Sequence, residues 1–378
     1  MSLSSGQSAF AQRTRSLSHA LTRAFPTPSL LTPPAAGIDI SDSSIKWMVL
    51  SPHPETHRII TYGEMPLEQG IVTGGIVRDV AKLSAVLRQV RSELGGVSSV
   101  HAALPEEAAY VFGMHVPRGT ARQQTLRMIE FEFEDRVPIP PSAAVYDYSV
   151  ILPRDTEVDD EISVVVFPRE IAEAYTEAFE KAGITLLSLE IEARSIARAV
   201  SLRTSDEPIT LLVDFGRART GFAVVKHGYP IFTSTVEVGG DLMTSALMQS
   251  LSLTPEDAEL FKNEHGLVPT EGKLAKGLEV VSGVASALAE EVARHYHYWD
   301  TRRNDKGERM TPVGKIILIG GSANLRGLPE YIAGKVHAPT EIGNVWQHVT
   351  KFEDYVPPID KRESLQFATA VGLALRGI

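Results

Sequence analysis

The amino-acid sequence predicts an α/β fold of two lobes built from related halves, and three observations lead there. The chain has 378 residues, more than one ordinary hydrophobic core organises. Strand-like and helix-like stretches alternate through most of it. One pattern also occurs twice. In "GIDISDSSIKWMVL" and "ITLLVDFGRARTGFAVV" an apolar strand ends near an aspartate, Asp39 or Asp214, passes a short polar turn and returns as a second strand.

Composition narrows the classes. Hydrophobic residues make up 43% and charged residues 22%, as in a soluble globular protein. A formal charge of −10 argues against nucleic acid or an anionic membrane as a general partner. No cysteine is present, which removes disulfides and thiolate metal sites. No window offers the roughly 20 consecutive apolar residues of a membrane span.

Residues 1–35 read as a flexible leader rich in Ser and Pro, without the compact apolar run of a secretory signal. Its Arg13, Arg15 and Arg23, set against Phe10, Leu17, Leu21 and Phe25, make at most a weak amphipathic contact with lipid. "AGIDI", "IKWMVL" and "HRIITYGEM" then read as strands. Residues 79–94 place Val80, Leu83, Leu87, Val90 and Leu94 on one helical face, and Gly95-Gly96 ends it. "SSVHAALP" and "AAYVFGMHVP" are strands. In "TLRMIEFEFEDRVPIPP" strand and helix periods compete, and the stretch is assigned as a helix stopped before Pro138.

"AVYDYSVIL" and "EISVVVF" are strands. "PREIAEAYTEAFEKAG" is a helix with Pro168 at its start, the stripe Ile171, Tyr175, Ala178 and Phe179, and Gly183 closing it. After the second hairpin comes the strand "YPIFTSTVEV". A helical region follows, whose "VVSGVASALAEEVARHYHYW" sets Val284, Leu288, Val292, His295 or Tyr296, and Trp299 on one face. "KIILIGGSANLRGLPEYI" is a buried strand, a Gly-Gly turn and a helix, and "ESLQFATAVGLALRG" is a closing helix.

The chemistry concentrates at the turns. Backbone N–H groups of such turns form anion-binding concavities, and Ser and Thr hydroxyls add donors. Asp39 and Asp214 suit the waters of a hydrated Mg²⁺, Lys46 adds positive charge, and the Gly320–Gly321 peptide lets a nucleoside approach. Each motif alone is more often a plain turn than a site; the three in this order are specific. No GxxxxGK[ST] loop occurs. His295 and His297 point to different sides of a helix, and His53 and His57 read as surface residues.

This combination resembles the actin/Hsp70/sugar-kinase superfamily. "EDRVPIPPSAAVYDYSVI", "FPREIAEAYTEAFEKAGI", "VEVGGDLMTSAL" and "APTEIGNVW" narrow the resemblance to the PilM family of type IV pilus assembly and its cell-division relative FtsA, over about residues 36–377. The resemblance implies a bilobed actin-like ATPase fold: residues 36–66 and 183–206 as the first subdomain, 67–182 as the relocated PilM/FtsA-type small subdomain, 207–240 and 312–363 as the third, 241–311 as a helical nucleotide-side subdomain and 364–378 as the closing helix.

It also implies ATP with Mg²⁺. Asp39 and Asp214 face the ion, while Ser43, Ser44, Lys46, Gly216 and Thr220 contact phosphates. Gly320, Gly321 and Ser322 line the nucleoside, with Glu290, Glu291 and Arg294 toward base or ribose. Glu190 and Glu192 are read as a solvated helix start, the alternative being neighbours of an attacking water.

The implied partner is the cytoplasmic N-terminus of a PilN-like inner-membrane protein, docked at the junction of the small subdomain with the first lobe. Contacts with a pilus motor ATPase and self-association remain open. The implied location is cytoplasmic, at the inner face of the inner membrane. Two departures stand out. Ser41 occupies the place of the family's glycine, and Arg217 and Arg219 replace small residues of the second turn. A weak ATPase, a sugar or small-molecule kinase, and a scaffold that has lost its nucleotide remain as alternatives.

Overall fold

The structure, a computed structural model, describes residues 34–51, 56–151, 159–202, 208–269, 274–303 and 310–377. Most of the leader and His53 lie outside them. The first half opens with β1 (Ala36–Ile40), β2 (Ser44–Leu50) and β3 (Ile59–Pro66), then the small hairpin β4 (Val72–Thr73) and β5 (Ile76–Val77), α1 (Val80–Glu93) and β6 (Ser99–Leu104). A separate unit follows: β7 (Tyr110–Pro117), α2 (Arg122–Arg136), β8 (Ala144–Val150) and β9 (Asp159–Pro168). The half closes with α3 (Arg169–Ala182), β10 (Thr185–Ile191) and α4 (Glu192–Val200). The second half runs β11 (Ile209–Phe215), β12 (Thr220–Lys226), β13 (Tyr229–Val236), α5 (Gly240–Leu251), α6 (Pro255–His265), α7 (Leu274–Thr301), β14 (Val313–Ile319), α8 (Leu328–Val336) and β15 (Thr340–Ile342), and ends with α9 (Ala368–Ala374).

The repeat seen in the sequence is a repeat of topology. One sheet has the order β10-β6-β1-β2-β3 and the other β15-β14-β11-β12-β13. In both, the first three strands of the half pair antiparallel, and two later strands add parallel on the other side of the first. Ile209 to Val213 are all buried, as befits a central strand covered on both faces. The registers set Asp39 opposite Lys46 and Asp214 opposite Gly221, each aspartate one residue before its strand ends.

Packing explains the ambiguous stretch. In α2, Ile129 and Phe133 are buried against β7 and β9, while Phe131 is 83% exposed. The helical period wins because it turns Leu126, Ile129 and Phe133 together onto the three-stranded sheet β7-β9-β8, whereas a strand period would need Phe131 there too. That unit has its own core, including Phe112, Ile162, Val164 and Val166. It is narrower than the expected 67–182 subdomain. β6 lies inside that range yet pairs with β1, and α1 and α3 bury Leu83, Leu87, Tyr175 and Phe179 against the first sheet. The separately cored unit is therefore 110–168, because the flanking helices carry apolar stripes that only the first sheet covers.

α9 lies along β1 and α4, where Gly37 and Gly372 have no side chain to hold the backbones apart. Through α4 and α9 one continuous core joins the second sheet to Met48 and Leu50 of the first. His295 is buried against Phe222 and Phe232, and His297 is exposed, as their spacing predicts. His57 is half-buried, its Nδ1 2.9 Å from the Ser51 carbonyl oxygen, rather than a surface residue. Among the described residues no helix is long and apolar enough to cross a membrane.

Candidate functional site

The β1–β2 turn brings its serines and Lys46 together. Lys46 Nζ donates to Ser44 Oγ at 3.0 Å and pairs with Glu64 at 3.2 Å. Desolvation raises the Asp39 carboxyl above the usual range; Lys46 opposes this and Glu64 adds to it. For Glu64, desolvation is outweighed by the Ser44 hydroxyl, Lys46 and the more distant Arg217, which together hold it low. Ser41 fills the interior of the turn. Its Oγ accepts from Ser44 N–H at 3.1 Å and more weakly from Ser43 N–H at 3.4 Å, and donates to the Ser44 carbonyl at 3.0 Å. Two backbone donors of the turn are thus spent on the protein's own side chain.

The β11–β12 turn has the same backbone frame and a different content. Gly216 N–H bonds the Arg219 carbonyl at 3.0 Å, as Ser41 N–H bonds that of Ser44 at 2.9 Å. Thr220 is buried, its hydroxyl donating to the Val238 carbonyl. Arg217 pairs with Asp241 at the start of α5, 3.0 Å away. Arg219 instead crosses to the other half, where it pairs with Asp42 of the first turn and with Glu107. Asp42 in addition accepts the N–H groups of Gly74 and Gly75, each at 3.0 Å.

The third component is the corner after β14. Gly320 has φ 89°, and a Cβ there would run into Asp214 Oδ1 and the Phe215 carbonyl, so only glycine lets this strand end lie against the aspartate. Ser322 Oγ donates to the Gly216 carbonyl at 2.9 Å, and Gly240 N–H reaches the same oxygen at 3.1 Å. The predicted Gly320, Gly321 and Ser322 thus adjoin Asp214 and Gly216.

Glu290 and Arg294 sit on the exposed face of α7, and their partners, Ser286 and Glu291, are on the same helix. The charged pair beside Gly240 and Ser322 is a different one. Buried Lys262 lies next to Gly240 and bonds Thr244 Oγ1 at 3.1 Å and Glu259 at 2.7 Å. Sequence reasoning passed over it because Glu and Lys three apart on a polar helix are ordinary surface chemistry.

Carboxylates line the floor between the halves. Burial, helped by Asp39 and opposed by Lys46, lifts Asp214 to about 6. Burial lifts Glu106 to about 7, against its bonds from Ala193 N–H and Thr233, with Asp214 adding repulsion. Glu192 is pushed well up by burial and by Asp39, Asp214, Glu106 and Asp42. Glu192 is therefore part of this floor, not a solvated helix start. Glu190 is not solvated either. It is buried and paired with buried Arg198 and with the more exposed Arg376, and those cations and Ser195 outweigh desolvation to keep it ionised. Its carboxylate is consumed by that network and cannot serve a water in the cleft.

Among the described residues no three acids or histidines are arranged to ligate a metal directly. Asp39 and Asp214 repel each other without chelating. That donor set fits a hydrated divalent ion held through its waters rather than a stripped one.

The comparisons with known proteins agree with this architecture. The family model "Type IV pilus assembly protein PilM" matches residues 37–378. FtsA of Enterococcus hirae is 25% identical over 368 residues, covering 84% of this chain and 82% of that protein. FtsA of Streptococcus pneumoniae is 24% identical over 193 residues, 47% of this chain and less than half of its own length. Among solved structures, a PilM-PilN type IV pilus biogenesis complex aligns with a TM-score of 0.74 at 22% identity, covering 91% of this chain and 98% of that one. MreB5 of Spiroplasma citri bound to ADP aligns at 0.53 and 12% identity, over 90% of this chain and 95% of its own. The fold is the bilobed actin-like one, and the chain belongs to the PilM family of type IV pilus assembly proteins.

Proposed function

We propose that this protein is a nucleotide-responsive adaptor of a type IV pilus machine, working in the cytoplasm at the inner membrane and holding the cytoplasmic end of a PilN-like protein. The observation that carries the nucleotide part is the delivery of Asp39 and Asp214 to one floor by topologically matching hairpins, with the bare Gly320 backbone beside them. Mg²⁺ held through water by the two aspartates would neutralise the phosphate charge. Ser43, Ser44, Lys46, Gly216 and Thr220 are the phosphate-side groups, and Gly321, Ser322 and Lys262 the nucleoside-side groups.

A groove supports the adaptor part. A cavity of about 310 Å³ lies where the start of β7 faces β13, lined by Ala109, Tyr110, Val111, Phe112, Arg136, Phe232 and Thr233. Its far wall belongs to the second sheet rather than the first lobe. Two neighbouring strands and an apolar lining suit an extended peptide. The comparisons favour the pilus-assembly reading over a kinase one, since the matching family model is that of a pilus assembly protein.

Two measurements test the proposal. Mg-ATP should raise the melting temperature by mass action, and Asp214→Ala should remove most of that shift while keeping the fold. A labelled peptide from the cytoplasmic end of the cognate PilN-like protein should bind the parent and lose at least tenfold in affinity with Tyr110→Ala, a half-buried residue of the groove wall. Unchanged peptide affinity in that variant would exclude this groove.

A further inference from the structure

One contact in the cleft is left over by the proposed function: the ion triad Asp42–Arg219–Glu107. Its side chains are 31%, 25% and 25% exposed, so it is sheltered compared with a free surface pair. It ties the two phosphate-side turns together across the gap a phosphate chain would enter. It also reaches beyond the cleft. Glu107 belongs to a single 3₁₀ turn, Glu106–Ala108, joining β6 to β7. Glu106 on one side accepts Ala193 N–H at 3.0 Å, on the cleft floor. Ala109 and Tyr110 on the other side line the groove. One short turn therefore touches both candidate sites.

We infer that Arg219 is a two-position residue: it is held by Asp42 and Glu107 while no phosphate lies between the turns, and it swings to the phosphate chain when a nucleotide enters. Releasing Glu107 then resets residues 109–112 at the groove. This rests on the nucleotide reading above. A guanidinium forks equally well onto carboxylate and phosphate, so the swing exchanges one bidentate anionic partner for another. Asp42 remains anchored after release by Gly74 and Gly75 N–H, whereas Glu107 has Arg219 as its ion-pair partner and so is the member that moves. Coupling of this kind is reciprocal. An occupant of the groove that favours the released Glu107 tightens nucleotide binding by the same factor by which nucleotide tightens the occupant.

The absence of cysteine makes the test direct, because Tyr110→Cys gives the full chain a single attachment point for an environment-sensitive fluorophore. In the labelled parent, Mg-ATP should shift the emission. Arg219→Ala and, independently, the milder Glu107→Gln should shift it the same way without nucleotide. Glu107→Gln should also bind Mg-ATP about fivefold more tightly, the low end of ordinary allosteric coupling. If both variants leave the emission at the parent value, the inference is overturned, even where Mg-ATP raises the melting temperature. If both variants shift the emission while Mg-ATP changes neither emission nor melting temperature, the ion triad is coupled to the groove and the nucleotide reading is what fails.

Discussion

At the tip of the first hairpin Ser41 N–H bonds the Ser44 carbonyl, and at the tip of the second Gly216 N–H bonds that of Arg219. The frames match, yet one turn spends its inner donors on a serine hydroxyl while the other keeps no side chain inside and sends an arginine outward. The same divergence recurs after the parallel strands. β6 runs into Pro105, Glu106 and Glu107, and β14 into Gly320, Gly321 and Ser322, each pair of positions entering a 3₁₀ turn. At the turn after its parallel strand the second half thus presents bare backbone, where the first presents charge. A repeated topology fixes where chemistry can be placed and leaves open which chemistry is placed there.

The bare half is the easier to break. Gly320→Ala puts a side chain at φ 89° and drives it into Asp214 and Phe215, so a stability loss of about 3–5 kcal/mol is expected in chemical denaturation. The charged half should show itself in pH dependence. Glu106 is raised to about 7 from 4.5. The folded state therefore binds more protons than the unfolded one between those values, and stability falls as pH rises through that window. Glu106→Gln, neutral throughout and still able to accept Ala193 N–H, should be more stable than the parent at pH 8 by about 2–3 kcal/mol. Its melting temperature should lose the corresponding slope between about pH 5 and 7. An unaltered slope would mean that Glu106 ionises normally.

Exchanging the turn residues gives the smallest effects and the sharpest comparison. Ser41→Gly frees two N–H groups and should improve Mg-ATP affinity about tenfold while lowering stability by about 1 kcal/mol. Gly216→Ser should do the reverse to affinity, because its Cβ would lie 2.9 Å from the Arg219 carbonyl and its hydroxyl would enter the turn. Equal affinities in parent and Ser41→Gly, read by titration calorimetry, would show that the first turn does not meet phosphate.

Most of the fold was legible because it is written in local periods. The strand-to-aspartate-to-strand repeat, the α3 stripe closed at Gly183 and the stop of α2 before Pro138 all follow from residues near one another in the chain. What was not legible depends on long-range placement. Nothing near Glu190 announces Arg376, and nothing near Glu259 and Lys262 announces Gly240 and Ser322, so the former read as solvated and the latter went unnoticed. The pairing of β6 with β1 was not legible for the same reason, since the two strands are far apart in the chain. Arg219 was noticed, but only the folded chain could supply Asp42 and Glu107 as its partners.

The position of α9 has a consequence for how the protein is made. β1 emerges early in synthesis, but the helix seated against Gly37 is made from Ala368–Ala374, at the other end of the described chain. On a ribosome that extends the chain by about 5–20 residues per second, β1 and β2 wait many seconds with an apolar face uncovered. The 110–168 unit, whose buried core residues all fall between Phe112 and Val166, has no such wait. A nascent chain should therefore carry that unit folded while the first lobe, complete in every strand, still depends on chaperones until its last helix arrives.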